Sequence, residues 1–197
     1  MSVAAIVLAA GRGARFGEAP KVLATLDGLP LVRRVAQVAV ASRADPVIVV
    51  VGRRGGDVAA ALAGLPVRVV DNPHWEEGLS TSLQAGFAAL PEAARAAIVC
   101  LGDMPLVSPA LLDALVAAHE ETPDVAAVVP VHAGERGNPV LLARRLGPDI
   151  AGLAGDRGAG PLLKGRADVL ELDWGDESIL RDVDTPAALA ALASDAR

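Results

Sequence analysis

The sequence has 197 residues, 52% of them hydrophobic and only 2% aromatic, with a formal net charge of −6. This length suits one domain over residues 1–197, and the acidic balance with so few aromatic side chains argues against a nucleic-acid partner. No apolar run approaches the ~18 residues that span a bilayer, and one cysteine without a basic leader segment favours a cytoplasmic location and no membrane partner.

The first predicted element is a strand over residues 3–9, an almost continuous apolar run that is typical of a strand buried on both faces. A turn of small residues follows it and carries Arg12 and Arg15, with Lys21 shortly after. Glycine lets the backbone approach an anion closely, and these cations supply the charge that a polyphosphate needs. Only Lys164 is also a lysine among the 18 basic residues. We therefore predict a nucleoside triphosphate loop that includes Lys21.

Strands and helices then alternate with short connections as far as residue 131. The predicted helices cover residues 30–42, 57–63, 80–90 and 108–119, and the predicted strands cover residues 46–51, 67–70, 96–101 and 125–131. Such alternation indicates a mainly parallel sheet with helices on both faces. Beyond it we predict a loop over residues 132–138, a strand over 139–142, helical pieces over 146–164, a last strand over 169–172 and a helix over 185–194.

A strand followed by a glycine turn also matches, weakly, a dinucleotide-binding dehydrogenase. Arg53 and Arg54, after the second strand, would then hold the 2′-phosphate of NADP. That fingerprint opens directly into a helix whose N-terminus takes the pyrophosphate. Here Gly17, Pro20 and the turn at residues 27–28 prevent a long helix before residue 30. We therefore rank the dehydrogenase below the triphosphate loop.

Carboxylates suited to a metal ion stand at two places. Asp103 follows the strand over residues 96–101, and ligands of open α/β sheets bind outside the carboxyl ends of strands. Asp182 and Asp184 precede the last helix, where one of them or Thr185 would cap it. Mg²⁺ prefers one or two carboxylates plus substrate phosphates. We predict an Mg²⁺ site at Asp103, with Asp184 as a candidate second ligand; the alternative is that Asp103 only caps the next turn.

An ordered set of motifs resembles the nucleotidyltransferases of molybdenum cofactor maturation, most closely the cytidylyltransferase type. The motifs are LAAGRGARFG with the following Lys21, LDGLPLV, NPHWEEGLSTSL, GDMP, RGNPVLL, GDRGA and DVDTP. This resemblance implies a single three-layer α/β/α, Rossmann-like nucleotidyltransferase fold of the glycosyltransferase-A kind, mostly parallel with one antiparallel strand. It also implies that CTP and a molybdenum-pterin phosphate react to give a cytosine dinucleotide cofactor and pyrophosphate.

The resemblance also assigns roles to residues. The nucleotide would be bound by Ala9, Ala10, Gly11, Arg12, Gly13, Lys21, Gly78, Leu79, Ser80 and Ser82. Arg15, Lys21 and Asp103 would be catalytic through alignment and charge neutralisation, because a phosphate acceptor is already a nucleophile at neutral pH. Residues 78–83 would favour cytosine, and Asn138, Asp156 and Arg157 would face the pterin.

Three residues depart from the family pattern: Gly13 replaces a common serine, Phe16 a usual methionine and Asn138 a frequent histidine. The first two are small steric changes, and the third leaves the acceptor open. The alternatives are a guanylyltransferase, a transferase acting on a sugar or polyol phosphate, and a non-catalytic factor that carries the finished cofactor to a molybdenum hydroxylase. The presence of both Lys21 and Asp103 favours an enzyme.

Overall fold

A computed structural model describes residues 2–11, 16 and 20–195. The strands are β1 (Ser2–Ala9), β2 (Thr25–Leu26), β3 (Leu29–Pro30), β4 (Val47–Val51), β5 (Val67–Asp71), β6 (Ala94–Leu101), β7 (Ala127–His132), β8 (Glu135–Arg136), β9 (Val140–Ala143) and β10 (Val169–Asp173). The helices are α1 (Leu31–Val40), α2 (Gly55–Ala61), α3 (Leu79–Ala88), α4 (Pro109–Glu121), α5 (Gly147–Ala151), α6 (Gly160–Leu163) and α7 (Pro186–Asp195). None of these described helices is both long and apolar enough to cross a membrane.

The main sheet has eight strands and is mostly parallel. Seven strands lie in the order β10-β7-β9-β6-β1-β4-β5, and β8 pairs with β7. The central strand β1 runs parallel to both β4 and β6. Strand β9 runs antiparallel to its neighbours β6 and β7, which confirms the expected reversed strand in an otherwise parallel path.

Two hairpins were not predicted as paired strands. The predicted loop over residues 132–138 contains β8, which folds back on β7, and residues 25–30 form the β2–β3 hairpin. Each hairpin turn holds two consecutive residues with positive φ, Ala133 and Gly134 in one and Asp27 and Gly28 in the other. A turn with two consecutive positive-φ residues has a backbone twist that matches the twist of the flanking strands. Such a turn therefore lets two segments pair even though each is too short to show a strand pattern in the sequence.

Helices cover both faces of the sheet. The odd-numbered residues 3–9 of β1 pack in one buried cluster with Val35 of α1 and Leu111 of α4. The even-numbered residues 4–8 pack in another with Leu83 of α3 and Ile150 of α5. Because residues 3–9 alternate between two apolar layers, all of them are buried, as their continuous apolar run predicts. This confirms the three-layer α/β/α fold.

Candidate functional site

A cleft of about 530 Å³ lies at the carboxyl ends of β1 and β6. It is lined by Leu8, Ala10, Gly11, Lys21, Val22, Trp75, Glu76, Gly78, Leu79, Ser82, Leu101, Asp103, Asp156 and Asp184. Parallel strands end at the same edge of a sheet, so the chain leaving β1 and the chain leaving β6 meet there. The structure therefore brings Lys21 and Asp103 into one crevice.

Asp103 is positioned by the close approach of the β6 end to β1. The N–H of Gly102 donates to the carbonyl oxygen of Leu8 at 3.0 Å. A side chain at position 102 would place its Cβ 2.9 Å from the same oxygen, so glycine permits this approach. The carbonyl oxygen of Asp103 accepts the N–H of Val183 at 2.9 Å, which joins this turn to the segment before α7.

Val183 orients the two carboxylates beside it. Its side chain is fully buried in a small cluster with Leu26, Leu31 and Leu192, so Asp182 and Asp184 flank a residue anchored in the core. One carboxylate oxygen from each of Asp103, Asp182 and Asp184 lies within 4.8 Å of the others. We call these three residues the acidic cluster.

The helix cap that the sequence left open is taken by Thr185. Its Oγ1 accepts the N–H of Ala188 at 3.1 Å, the usual bond of a residue that caps a helix N-terminus. Asp184, one residue earlier, instead lines the cleft and bonds to Lys21. Thr185 therefore caps the helix, whereas Asp184 makes a contact in the cleft.

Lys21 lies against the acidic cluster. It begins a short 3₁₀ turn, Lys21–Leu23, in which Val22 is buried. Its Nζ donates to Asp184 Oδ1 at 2.7 Å and forms an ion pair with Asp103. The side chains of Lys21 and Asp103 are only 15% and 17% exposed, against 49% for Asp184. Burial alone lowers the pKa of Lys21, but its bonds to Asp103 and Asp184 outweigh burial and raise it, so the ammonium stays charged.

The donor set of the acidic cluster suits a hard divalent cation. Three carboxyl groups lie around one ammonium, and Mg²⁺ and Mn²⁺ take carboxylate oxygen ligands. Burial raises the pKa of Asp182, and repulsion from Asp184 and Asp103 raises it further. Asp103 and Asp184, which line the cleft, are the residues that could hold an ion beside a bound phosphate.

The Asn72 side chain connects the loop before α3 to the first turn of that helix. This side chain is 2% exposed, and its Nδ2 donates to Thr81 Oγ1 at 2.9 Å and to Ser82 Oγ at 3.1 Å. Its Oδ1 accepts the N–H of His74 at 3.0 Å. This role was not predicted from the sequence, although the Asn72-Pro73 pair before a helix is a recognisable turn signal.

The predicted base-choosing segment is only partly in the cleft. Gly78, Leu79 and Ser82 line it, whereas Ser80 is fully buried and does not. Trp75, from the preceding loop, also lines the cleft. It packs closely against Gly52, because a Cβ added at position 52 would lie only 2.6 Å from the Cβ of Trp75. The sequence signal by which Trp75 can be found is an aromatic side chain within an otherwise polar loop.

Gly78 → Ala is expected to destabilise the protein by about 2–3 kcal/mol, because positive φ is costly for L-residues and overpacking adds to it. Gly78 has φ +114°, and a Cβ there would lie 2.4 Å from the carbonyl carbon of Gly155. Gly64 → Ala is a matched control, since Gly64 has φ +82° but no atom within 4 Å of an added Cβ. Urea unfolding of both variants separates backbone strain from the clash; equal losses would contradict the role of the contact with Gly155.

The remaining predicted residues fall in three groups. Ala10 and Gly11 line the cleft and Ala9 is buried beneath it, whereas Arg12, Gly13 and Arg15 lie outside the described residues. Asp156 lines the main cleft, Asn138 lines a side cavity that shares Leu8, Leu79 and Leu101 with the cleft, and Arg157 is exposed and lines neither. Of the three residues expected to face the acceptor, Arg157 therefore lies apart from the other two.

The geometry of the described residues does not support the dehydrogenase alternative. Between residues 20 and 30 the chain forms a 3₁₀ turn and the β2–β3 hairpin, so no helix there opens onto the cleft before α1. Arg54 Nε bonds to Asp57 Oδ2 at 2.5 Å, which occupies one cation that a 2′-phosphate would require.

Three comparisons with known proteins agree with this geometry. Residues 5–170 match the family model described as a MobA-like NTP transferase domain. Nicotine blue oxidoreductase of Paenarthrobacter nicotinovorans is 31% identical over 189 residues, covering 93% of this chain and 92% of that protein. A manganese complex of Rv0371c from Mycobacterium tuberculosis superposes with a TM-score of 0.81 at 29% identity, covering 98% of this chain and 99% of the other.

A nucleotidyl transferase from Methanothermobacter superposes with a TM-score of 0.83 at 26% identity, covering 98% of this chain and 97% of the other. The family model spans most of the chain, and the Paenarthrobacter relative is similar over nearly the whole of both proteins. The chain therefore belongs to the MobA-like NTP transferase family of nucleotidyltransferases.

Proposed function

We propose that this protein transfers a CMP group from CTP to the phosphate of a molybdenum-pterin cofactor and releases pyrophosphate. The main support is the meeting of Lys21, Asp103 and Asp184 at the carboxyl edge of the sheet, in a cleft large enough for a nucleotide. One ammonium on a flexible side chain and two carboxylates are the groups that a metal-bound triphosphate needs.

In the proposed reaction an oxygen of the acceptor phosphate attacks the α-phosphorus of CTP. The bond from that phosphorus to the bridging oxygen of the β-phosphate breaks, and pyrophosphate leaves. The acceptor oxygen is already ionised, so none of the cleft residues has to remove a proton. Lys21 would shift from the carboxylates to the phosphates and balance the charge that builds up there. Arg12 and Arg15 are proposed to contact the same phosphates.

Asp103 and Asp184 would hold the divalent ion, proposed to be Mg²⁺. When bound, the ion would neutralise phosphate oxygens and fix their orientation. The cleft geometry supports this because both carboxylates approach Lys21, the residue assigned to the same phosphates. We further propose that residues 78–83 select cytosine, with Ser82 in the cleft, and that the product passes to a molybdenum hydroxylase in the cytoplasm.

The test is to incubate the purified protein with Mg²⁺, the molybdenum-pterin cofactor and each of the four ribonucleoside triphosphates in turn. Pyrophosphate release gives the rate, and chromatography of the dinucleotide product confirms the transfer. We expect CTP to be used at least about tenfold faster than GTP, and no release without the acceptor. If GTP were used faster than CTP, the transferred nucleotide would be GMP and the assignment of cytosine would be wrong. Tight binding of CTP without turnover would favour the non-catalytic carrier instead.

A redox activity is the second candidate, because the Paenarthrobacter relative is named as an oxidoreductase and is similar over its whole length. The test is oxidation of NADH and NADPH by the same preparation without nucleoside triphosphate. We expect none, since Arg54 is bound to Asp57 and no residue of α1 lines the cleft. Steady oxidation together with absent pyrophosphate release would overturn the transferase.

A further inference from the structure

Another cavity, of about 430 Å³, lies at the amino end of β6. We call it the arginine cavity; its described lining residues are Arg95, His119, Pro123, Ala143, Arg144 and Arg145. Arg95 is the second residue of β6, whereas Leu101, the last residue of the same strand, lines the cleft. Six residues of a strand span about 20 Å, so the arginine cavity is separate from the cleft.

The three arginines bring more positive charge to this cavity than the surrounding protein balances. No aspartate or glutamate is among the described residues that line it. Arg145 is balanced, because its Nη2 lies 2.9 Å from Asp168 Oδ2. Arg95 and Arg144 form no ion pair with any residue that the structure describes. Two unpaired guanidinium groups therefore line the cavity of a protein whose net charge is −6.

The strand register brings these two charges close together. Strands β6 and β9 are antiparallel and Ala96 pairs with Ala143, so Arg95 and Arg144 are the next positions beyond that pair. Arg144 Nη1 donates to the carbonyl oxygen of Ala94 at 3.2 Å, which holds the guanidinium beside the start of β6. Like charges at opposed positions destabilise a sheet. An anion bound by both groups would remove this repulsion.

His119 adds a buried polar group to the same cavity. It lies in the last turn of α4 and is only 8% exposed. Its Nδ1 is buried and makes no hydrogen bond to a described residue. A buried polar atom without a partner costs free energy. The arginine cavity thus combines unpaired charge with a polar atom that no described residue satisfies.

We propose that the arginine cavity binds the phosphate group of a small molecule through the guanidiniums of Arg95 and Arg144. A guanidinium presents a fork of donors that matches two phosphate oxygens, and two such groups match the charge of a phosphate dianion. A volume of about 430 Å³ exceeds what one phosphate ion needs, so a second phosphate or an organic group also fits. This site goes beyond the proposed function, because it lies away from the cleft.

Imidazole signals in nuclear magnetic resonance locate the anion, since the chain has three histidines. His119 lines the arginine cavity, His74 precedes Trp75 in the wall of the cleft, and His132 ends β7. His74 → Gln and His132 → Gln assign the signals. Inorganic phosphate, pyrophosphate and CMP are titrated in turn, without metal, at constant ionic strength and about pH 8, where phosphate is a dianion.

We expect the His119 signal to shift and saturate, with a Kd at least about tenfold lower than that of acetate. A phosphate-induced shift of His74 alone, or equal affinity for acetate, would overturn the proposal. Tighter binding of pyrophosphate than of CMP would support the site with a free polyphosphate as its ligand. The reverse order would support it with a nucleoside phosphate.

Variants of Arg95 test which group holds the phosphate. Arg95 → Gln is expected to weaken binding at His119 at least about tenfold, and Arg95 → Lys to weaken it less, because lysine keeps the charge but loses the fork. Arg53 → Gln is the matched control, since Arg53 is exposed and lines neither the cleft nor the arginine cavity. Unchanged affinity in Arg95 → Gln would overturn the proposal.

Thermal melting separates a ligand site from a structural role of Arg95. Without phosphate, Arg95 → Gln should melt no lower than the unaltered protein, because it removes one of two like charges. Millimolar phosphate should raise the melting temperature of the unaltered protein but not that of the variant. A less stable variant without phosphate would overturn the proposal. The transferase is judged apart: pyrophosphate release without any His119 shift would reject this site alone.

Discussion

Replacing Lys21 by methionine is expected to lower nucleotidyl transfer by about two to three orders of magnitude while the protein stays folded. Methionine keeps the aliphatic stem but removes the ammonium that would follow the phosphates during transfer. The rate of pyrophosphate release at saturating CTP measures this loss. A rate near that of the unaltered protein would contradict the role of Lys21.

The same variant is expected to bind Mn²⁺ more tightly when no nucleotide is present. In the structure the Lys21 ammonium lies against Asp103 and bonds to Asp184 at 2.7 Å, so it occupies the carboxylates that an ion would need. Removing one positive charge at this distance should tighten Mn²⁺ binding by at least about tenfold. Electron paramagnetic resonance of free Mn²⁺ measures it without any turnover.

Lys164 → Met is the matched control, because Lys164 is the other lysine of the chain and is exposed. It should leave both the transfer rate and Mn²⁺ binding unchanged. If Lys21 → Met weakened Mn²⁺ binding, the ammonium would be supporting the metal site rather than competing for it. Competition would mean that ion and nucleotide enter together, since the phosphates draw Lys21 away from the carboxylates.

Replacing Asp103 or Asp184 by asparagine is expected to weaken Mn²⁺ binding and to lower transfer by about 100-fold or more. Asparagine keeps the shape of the side chain but removes the negative charge that binds the ion. Both residues line the cleft beside Lys21. Mn²⁺ titration and pyrophosphate release, each over a range of metal concentrations, measure the two effects, and chelation with EDTA should abolish transfer in the unaltered protein.

Asp182 → Asn is the matched control within the acidic cluster. Asp182 contributes an oxygen within 4.8 Å of the others but does not line the cleft. We expect it to lower transfer by less than about tenfold, because it adjusts the local charge without contacting the phosphates. Should Asp182 → Asn cost more than Asp184 → Asn, the second ligand would be Asp182.

Much of the scaffold was predictable from the chain. The run over residues 3–9 is buried on both faces, and its hydrophobicity alone indicates a strand covered by two layers. Ser108 caps α4 by accepting the N–H of Leu111 at 3.3 Å, as a serine before a helix predicts. Lys21 and Asp103 share one cleft because parallel strands end at one edge of the sheet. Local patterns, together with the alternation of strands and helices, indicate these features, so the sequence is enough to predict them, although it does not show that the two side chains touch.

Contacts between distant segments needed the tertiary structure. Asp184 bonds to Lys21 across 163 positions, and the bond from the Ala188 N–H to Thr185 Oγ1 shows that Thr185, not Asp184, caps α7. Asn72 and the side cavity at Asn138 likewise depend on strands and helices that meet only in the folded chain. The amino-acid order by itself determined the elements and the residue types of the cleft. The packing of the layers decided which of those residues touch, because a contact depends on position in space and not on separation along the chain.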